Sequence, residues 1–262
     1  MTISEKNLIH SANKRLTRKE EKKQLILDFL KEQIWSVPEI LADVIQVKSR
    51  QTIYETLKQM EQDGLLARHY LKTMAGNKVI WGITNQGQIM AWDPDSNQGP
   101  STNYFEPLRV AETTAHHHLG IQKIRLAAEQ KGWFDWVDGN SLKYVEKDSN
   151  RPDGLITSPL GCKFAIEYER SFKTIKRYES ILCNYLQALK QGQMDMVVWI
   201  CPDLRSKKRL ERIILNIQRV SIKGKSIPVD PAKHHSKLLF STIEEWPTLP
   251  EKNFTQINQT LK

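Results

Sequence analysis

One stretch of this chain decides the fold of its second half: residues 151–169 read RPDGLITSPLGCKFAIEYE. Its last residues alternate between apolar and polar as a half-buried strand does, so that Phe164 and Ile166 face one side. Glu167 and Glu169 share the other side, about 7 Å apart along an extended backbone. Two carboxylates at this spacing can converge on one cation.

A third carboxylate precedes the strand. Asp153 follows Pro152 in a turn that leads into a neighbouring short strand, from which it could reach Glu167 and Glu169. Hard carboxylate oxygens suit Mg²⁺ or Mn²⁺, which keep several waters and accept phosphate oxygens as further ligands. The sequence therefore predicts a metal site made of Asp153, Glu167 and Glu169. A cation held there can polarise a phosphodiester and activate a water.

Hydrophobic periodicity predicts the elements around this motif. They are a helix over 112–130, strands over 133–145, 154–157 and 163–169, a long helix over 172–189, a buried strand over 194–201 and a helix over 204–217. This order, αβββαβα, indicates a mixed sheet with helices on both sides.

Charge and composition favour a polyanionic partner. The 262-residue chain has a net charge of +9 and a pI near 9.3, which does not distinguish nucleic acid from another acidic surface or from a merely soluble basic protein. No apolar run is long enough to cross a membrane, and residues 1–23 lack the apolar core of a signal peptide. We therefore expect no membrane insertion and a cytoplasmic location. The scattered cysteines, Cys162, Cys183 and Cys201, predict free thiols.

Loop chemistry in the middle of the chain predicts two domains. Residues 93–103 read DPDSNQGPSTN, which is typical of a linker. We interpret residues 1–92 as one domain with a basic N-terminal arm, 93–106 as the linker and 107–262 as a second domain.

The first domain has the pattern of a winged helix. Apolar residues at helical spacing predict two helices, and Ser49 is a plausible N-cap for a third. Strands over 68–73 and 78–83 follow, joined by the turn Ala75-Gly76-Asn77. Three helices followed by such a hairpin predict a winged helix-turn-helix domain.

The third helix and the hairpin carry polar and basic side chains that could face DNA. These are Arg50, Gln51, Tyr54, Lys58, Arg68, Lys72 and Lys78. Winged helices also serve as protein-docking modules, and Glu55 would oppose phosphate if it faced the groove. The basic balance of the chain favours the DNA-binding interpretation.

The pattern Pro152-Asp153 followed by Glu167-x-Glu169 within αβββαβ resembles the PD-(D/E)xK fold of restriction endonucleases and many DNA-processing nucleases. In that family the Asp and the first Glu bind metal, which the resemblance carries over to Asp153 and Glu167. The third position is usually Lys, where this chain has Glu169. The resemblance thus implies that Glu169 is a second ligand or a proton acceptor, and that Lys173 supplies the positive charge.

Other residues are secondary candidates. An acidic residue of the first helix often joins the site in the PD-(D/E)xK family, which points to Glu129 or Glu112. His118, in a run of three histidines, could be a ligand or proton donor, although such a cluster is more often surface and capping chemistry. A tyrosine nucleophile is a further possibility, and the candidates are Tyr168, Tyr178 and Tyr185. Because all three fit apolar stripes, we favour core roles for them and an activated water as the nucleophile.

The layout of the whole chain narrows the resemblance. A winged helix joined to this nuclease-like domain, with HLGIQKIRLAAE at 118–129 leading into Gly132-Trp133, is similar to the MobC mobilisation proteins. These belong to the MOB-C class of plasmid relaxases, related to replication-relaxation proteins, and the similarity runs from about Lys22 to Trp246. It implies nicking of one strand at a plasmid origin of transfer, together with an accessory mobilisation protein and a coupling protein.

Two other functions remain open from the sequence. A non-enzymatic DNA-binding regulator could keep the nuclease fold without activity, and the missing lysine supports it while the three retained carboxylates oppose it. A restriction or repair endonuclease would make double-strand breaks with the same residues.

Overall fold

The computed structural model describes residues 12–95, 99–142, 151–222 and 224–248. Across these residues the protein is mixed α+β, with eight α-helices and a mixed five-stranded sheet, which confirms the predicted class at that level. The chain divides into two compact units, Met1–Gln122 and Lys123–Lys262. The division falls inside a helix, and the assignment of 93–106 as a linker stays a prediction. None of the described helices has the length and apolar character that crossing a membrane requires.

The first unit contains four helices and a small sheet, followed by the first part of a helix that continues into the second unit. Its elements are α1 (Ala12–Gln33), β1 (Trp35–Ser36), α2 (Pro38–Val44), α3 (Arg50–Gln62), β2 (Leu66–Thr73), β3 (Gly76–Ile83) and α4 (Asn85–Met90). The three strands pair antiparallel in the order β1-β3-β2. The described part of the charged run 14–23 is helical and continues into the buried end of α1.

Helix α3 begins where the sequence predicted. The Ser49 hydroxyl accepts a hydrogen bond from the Thr52 amide at 3.3 Å, which satisfies one of the free N–H groups of the first turn. Ile53, Leu57 and Met60 are buried, so the predicted N-cap and apolar stripe are confirmed. The opposite side of α3 is consequently left to solvent.

The second unit is built around the five-stranded sheet. Its elements are α5 (Glu112–Glu129, of which residues 123–129 belong to this unit), β4 (Phe134–Asp138), β5 (Gly154–Thr157), β6 (Lys163–Tyr168), α6 (Ile175–Lys190), β7 (Met196–Cys201), α7 (Leu204–Leu215), β8 (Arg219–Ile222), β9 (Lys225–Pro228), α8 (Pro231–His234) and β10 (Leu238–Thr242). Sheet order is β10-β7-β6-β5-β4. Strands β4, β5 and β6 pair antiparallel, whereas β6, β7 and β10 pair parallel.

The predicted strand over 133–145 is too long. Strand β4 ends at Asp138, whose side chain accepts a hydrogen bond from the Asn140 amide at 2.9 Å and turns the chain into a short 3₁₀ segment. The remainder of the prediction, 143–145, lies outside the described residues.

Aromatic side chains fill both faces of the sheet. On one face Trp133 packs edge-on against Phe164, with ring centroids 4.9 Å apart. On the other, α6 covers β6 and β7, and Trp199 stacks on Phe240 at 5.4 Å. Close packing of large rings on both faces holds β6, the strand that carries the two glutamates, in a rigid core. The three cysteines are buried and free, as predicted.

Candidate active site and nucleic-acid face

Asp153 lies immediately before β5, beside the central strand β6. Its amide donates to the Ile166 carbonyl at 2.9 Å, and its own carbonyl accepts from the Gly139 amide at 2.9 Å. The paired residues of β5 and β6 begin with Gly154 and Ile166. Asp153 therefore contacts the residue that precedes Glu167 in β6.

Local structure holds the Asp153 side chain. One carboxylate oxygen, Oδ2, accepts a hydrogen bond from the Tyr168 amide at 2.7 Å. Gly154 is required beside it, because a Cβ at that position would lie 2.4 Å from the Trp136 ring. The Pro-Asp-Gly turn therefore positions the carboxylate through backbone contacts that do not depend on a flexible side chain.

Glu167 faces helix α6. It is half-buried in β6, paired in register with Trp199 on β7, and its Oε1 accepts a hydrogen bond from the Tyr185 hydroxyl. The Tyr185 ring meets Trp199 edge-on, with centroids 5.7 Å apart, and is itself 1% exposed. The tyrosine that holds this carboxylate is therefore fixed by core packing. Sequence reasoning placed Tyr185 in an apolar stripe and gave no sign of its hydroxyl contact.

Glu169 is the most deeply buried of the three acidic residues. It follows β6, donates its amide to the Ile200 carbonyl at 2.9 Å and is 5% exposed. Its Oε2 lies 2.5 Å from Nζ of Lys173, whose side chain is 38% exposed. The structure thus places a lysine ammonium at the end of β6, although this lysine lies four residues after Glu169 in the chain. Lys173 was predicted for this role from the family resemblance.

Tyr178 adds a second hydroxyl beside Glu169. Its oxygen accepts a hydrogen bond from the Lys173 amide at 3.1 Å. Burial raises the pKa of Tyr178 to about 12, and the nearby negative charge of Glu169 adds to the effect. Glu167 of β6 and Glu169, which follows that strand, thus both lie near tyrosines of α6, in agreement with the predicted alternation.

The raised pKa of Tyr178 predicts alkaline sensitivity. Because the folded-state pKa of about 12 exceeds the ordinary value of 10, the stability present below pH 10 is lost as pH rises towards 12. Between pH 9 and pH 11 the wild type should lose about 1.4 kcal/mol more unfolding free energy than Tyr178→Phe, which lacks the ionising group. Urea unfolding at the two pH values measures the difference. Tyr70→Phe, which removes an exposed hydroxyl, is the control, and equal losses in Tyr178→Phe and wild type would contradict the assignment.

The donor set fits a cation held by two carboxylates. Within the described ranges, no three His, Cys, Asp or Glu side chains are grouped as a metal site. Glu169 instead pairs with Lys173, while Asp153 contacts the residues on either side of Glu167. Mg²⁺ in phosphate-processing sites is commonly bound by one or two carboxylates, with water and substrate oxygens as the other ligands. The Asp153 and Glu167 pair meets that requirement, and the three-carboxylate set stays a prediction.

His118 is engaged within the first unit. Its ring packs against Trp35 with centroids 4.5 Å apart, and Nε2 lies 3.1 Å from the Trp35 carbonyl oxygen and 2.7 Å from Nε2 of Gln122. Gln122 also donates to that carbonyl at 2.7 Å and accepts from the buried Ser36 hydroxyl. These contacts support a structural role for His118 at strand β1.

The two acidic residues of α5 have partners of their own. Glu129 forms an i,i+4 ion pair with Arg125 at 2.7 Å. Glu112 accepts a hydrogen bond from the Met74 amide at 2.8 Å, at the tip of the β2–β3 hairpin. Tyr168 is 7% exposed, burial raises the pKa of its phenol, and its backbone amide is the group that contacts Asp153. The roles of these residues as secondary candidates stay predictions.

The residues predicted to face DNA lie on α3 and on the hairpin. Arg50, Gln51 and Lys58 are exposed on α3, and Tyr54 is half-buried beneath the Arg50 guanidinium at 5.5 Å from its ring centroid. Gln51 donates to Glu55 at 2.8 Å, which partly occupies that acidic group. The exposed side of α3 therefore presents two cationic groups.

The hairpin contributes its own cations. Arg68 is exposed on β2, lies over the rings of Tyr70 and Trp81 at 5.8 and 5.7 Å, and approaches Glu61 at 3.6 Å. Lys72 is exposed and Lys78 half-buried near the turn. Stacking on two rings preorganises Arg68, because a planar guanidinium in that position has fewer rotamers to lose on binding.

Comparisons with known proteins provide no relative for this chain. No family model matches it, and neither does any curated protein or solved structure. Function is therefore inferred from the motif residues and from where the structure places them.

Proposed function

We propose that this protein is a metal-dependent DNA endonuclease that nicks one strand at a plasmid origin of transfer. In this proposal the first unit is a winged-helix DNA-binding domain and the second a PD-(D/E)xK nuclease-like domain. The observation that carries the proposal is the contact of Asp153 with both neighbours of Glu167 in β6, Ile166 and Tyr168, with the Lys173 ammonium just beyond the end of the same strand. This arrangement matches the Asp, Glu and Lys roles of the nuclease motif, with the lysine supplied from a different position.

Each side chain then has a distinct task. Asp153 and Glu167 hold the cation, Mg²⁺ or Mn²⁺, which when bound would polarise the scissile phosphate and lower the pKa of a water. The Tyr168 amide and the Tyr185 hydroxyl keep the two carboxylates in place. Lys173 offers positive charge to a phosphate, and Glu169 orients that lysine by pairing with it.

Burial of the tyrosines favours water as the nucleophile. Tyr168, Tyr178 and Tyr185 are 7%, 0% and 1% exposed, so a DNA phosphate could not reach their hydroxyls without opening the core. Burial also raises the pKa of Tyr178 to about 12, which keeps its phenol protonated and weakly nucleophilic. We therefore assign attack to a water bound near Asp153 and Glu167.

The relaxase assignment adds a site and partners. From the resemblance to MOB-C relaxases, we propose that nicking takes place in the cytoplasm with an accessory mobilisation protein that helps to open the duplex, and that a coupling protein receives the product. The net charge of +9 supports a nucleic-acid partner.

Recognition by α3 predicts a charge-dependent loss of affinity. Lys58→Gln removes an exposed cation of α3 that would contact phosphate. We expect weaker binding to all DNA sequences and a fall of about 1 in the slope of log K against log salt. Fluorescence anisotropy at several salt concentrations measures both. Lys31→Gln, on α1 of the same unit, is the matched control, and an unchanged slope for Lys58→Gln would contradict the recognition role.

Incubation with a supercoiled plasmid carrying the cognate transfer origin tests the proposed function. We expect the full-length protein, with Mg²⁺ or Mn²⁺ and the accessory protein, to produce open circles, and a chelator to stop the reaction. Linear product would indicate a restriction or repair nuclease. Intact plasmid despite measurable DNA binding would overturn the proposal and favour a non-enzymatic regulator.

A further inference from the structure

We infer that Tyr185 and Tyr178 of helix α6 are positioning residues: Tyr185 holds Glu167, and Tyr178 holds Glu169 through its partner Lys173. The inference deepens the proposed function and depends on it, because the carboxylates being held are those assigned to the nuclease site. Neither tyrosine touches the cation or the phosphate in this assignment.

The spacing of the four residues allows one helix to reach both acidic groups. Tyr178 and Tyr185 are seven residues apart, which is about two helical turns and puts both side chains on one face of α6. Glu167 and Glu169 are two residues apart and share one face of the strand pattern. One helix face can therefore provide a separate hydroxyl for each carboxylate.

Tyr185 is suited to fix Glu167 in one rotamer. Its ring is held against Trp199 in the core, so its hydroxyl cannot follow a carboxylate that rotates away. Donation to Oε1 fixes the orientation of the carboxylate. Outer hydrogen bonds of this kind orient metal-binding carboxylates and strengthen their affinity. The hydroxyl therefore keeps the Glu167 carboxylate in one orientation.

Tyr178 acts on the other half of the site. Its hydroxyl oxygen accepts from the Lys173 amide at 3.1 Å, and its ring lies beneath the Lys173 ammonium, 5.8 Å from Nζ to the centroid. Lys173 in turn pairs with Glu169. Tyr178 thus contacts Lys173 at two points and sets the position of the lysine that pairs with Glu169.

Tyr185→Phe in the full-length protein tests the inference, because it removes the hydroxyl and leaves the ring packing. We expect its affinity for Mn²⁺, measured by calorimetry, to fall at least about tenfold. Nicking should fall at low Mn²⁺ and recover when Mn²⁺ is raised well above the new dissociation constant. Tyr178→Phe should instead lower the nicking rate at saturating Mn²⁺ with little change in Mn²⁺ affinity, since it acts through Lys173.

Ser241→Ala is the matched control, because it removes another buried hydroxyl from the same sheet, at strand β10. We expect it to bind Mn²⁺ and nick as the wild type does. Wild-type Mn²⁺ affinity in Tyr185→Phe would overturn the inference while the proposed function stands. If Tyr185→Phe lost nicking activity and excess Mn²⁺ did not restore it, the hydroxyl would have a merely structural role. That result would also overturn the inference while the proposed function stands. If the wild type neither binds Mn²⁺ nor nicks, the proposed function falls and the inference falls with it.

Discussion

Glu167→Gln should lower the rate of metal-dependent nicking by more than about a hundredfold, because loss of a cation ligand exceeds the 10- to 100-fold effect typical of its outer partners. The amide has the shape of the carboxylate and its carbonyl oxygen can still accept the Tyr185 hydroxyl, so the core should remain intact. The substitution removes the negative charge and replaces one carboxylate oxygen by an NH₂ group, which cannot bind a cation. Initial rates of open-circle formation from supercoiled plasmid, at fixed Mg²⁺ or Mn²⁺, measure the effect.

Two further variants make this result specific. Glu179→Gln removes a half-buried carboxylate of α6 outside the site and should nick at the wild-type rate. Asp153→Asn should lose Mn²⁺ binding together with nicking, which separates a metal-dependent nuclease from a DNA-binding regulator. A Glu167→Gln variant that keeps more than a tenth of the wild-type rate would contradict the assignment of Glu167 to the cation.

Lys173→Met should cost about 2–3 kcal/mol of unfolding free energy, because it leaves the Glu169 carboxylate buried without its ammonium partner. Removing one member of a fully buried pair commonly costs about 3–5 kcal/mol, and the estimate is reduced here because the lysine side chain is 38% exposed and screened by water. Urea unfolding at neutral pH measures the loss.

A double-mutant cycle shows whether the loss belongs to the pair. Glu169→Gln combined with Lys173→Met should lose less stability than the sum of the single variants, with a coupling of about 1–2 kcal/mol. Lys207→Met breaks a more exposed pair, with Glu245, and should cost less than about 1 kcal/mol. Additive losses at Glu169 and Lys173 would show that the two side chains do not stabilise each other.

Local patterns predicted many of the elements. Helix α3 was predicted through its N-cap, Ser49, and its apolar stripe, and β6 through the alternation around Glu167. Helical periodicity and capping involve residues within a few positions of each other, so they are visible in the chain. Strands β1, β8, β9 and β10 were not predicted. Strands β1 and β10 pair with strands distant in sequence, and β8 and β9 are four-residue strands of one hairpin.

The candidate site could likewise be predicted only in part from the sequence. The motif around Asp153 and Glu167, and the placement of both β6 glutamates on one face, could be predicted from residue types and a period of two. The contacts of Asp153 with Ile166 and Tyr168, of Glu169 with Lys173 and of Glu167 with Tyr185 came from the folded protein. Strand register and the docking of α6 depend on packing between residues far apart in the chain, which no local pattern contains.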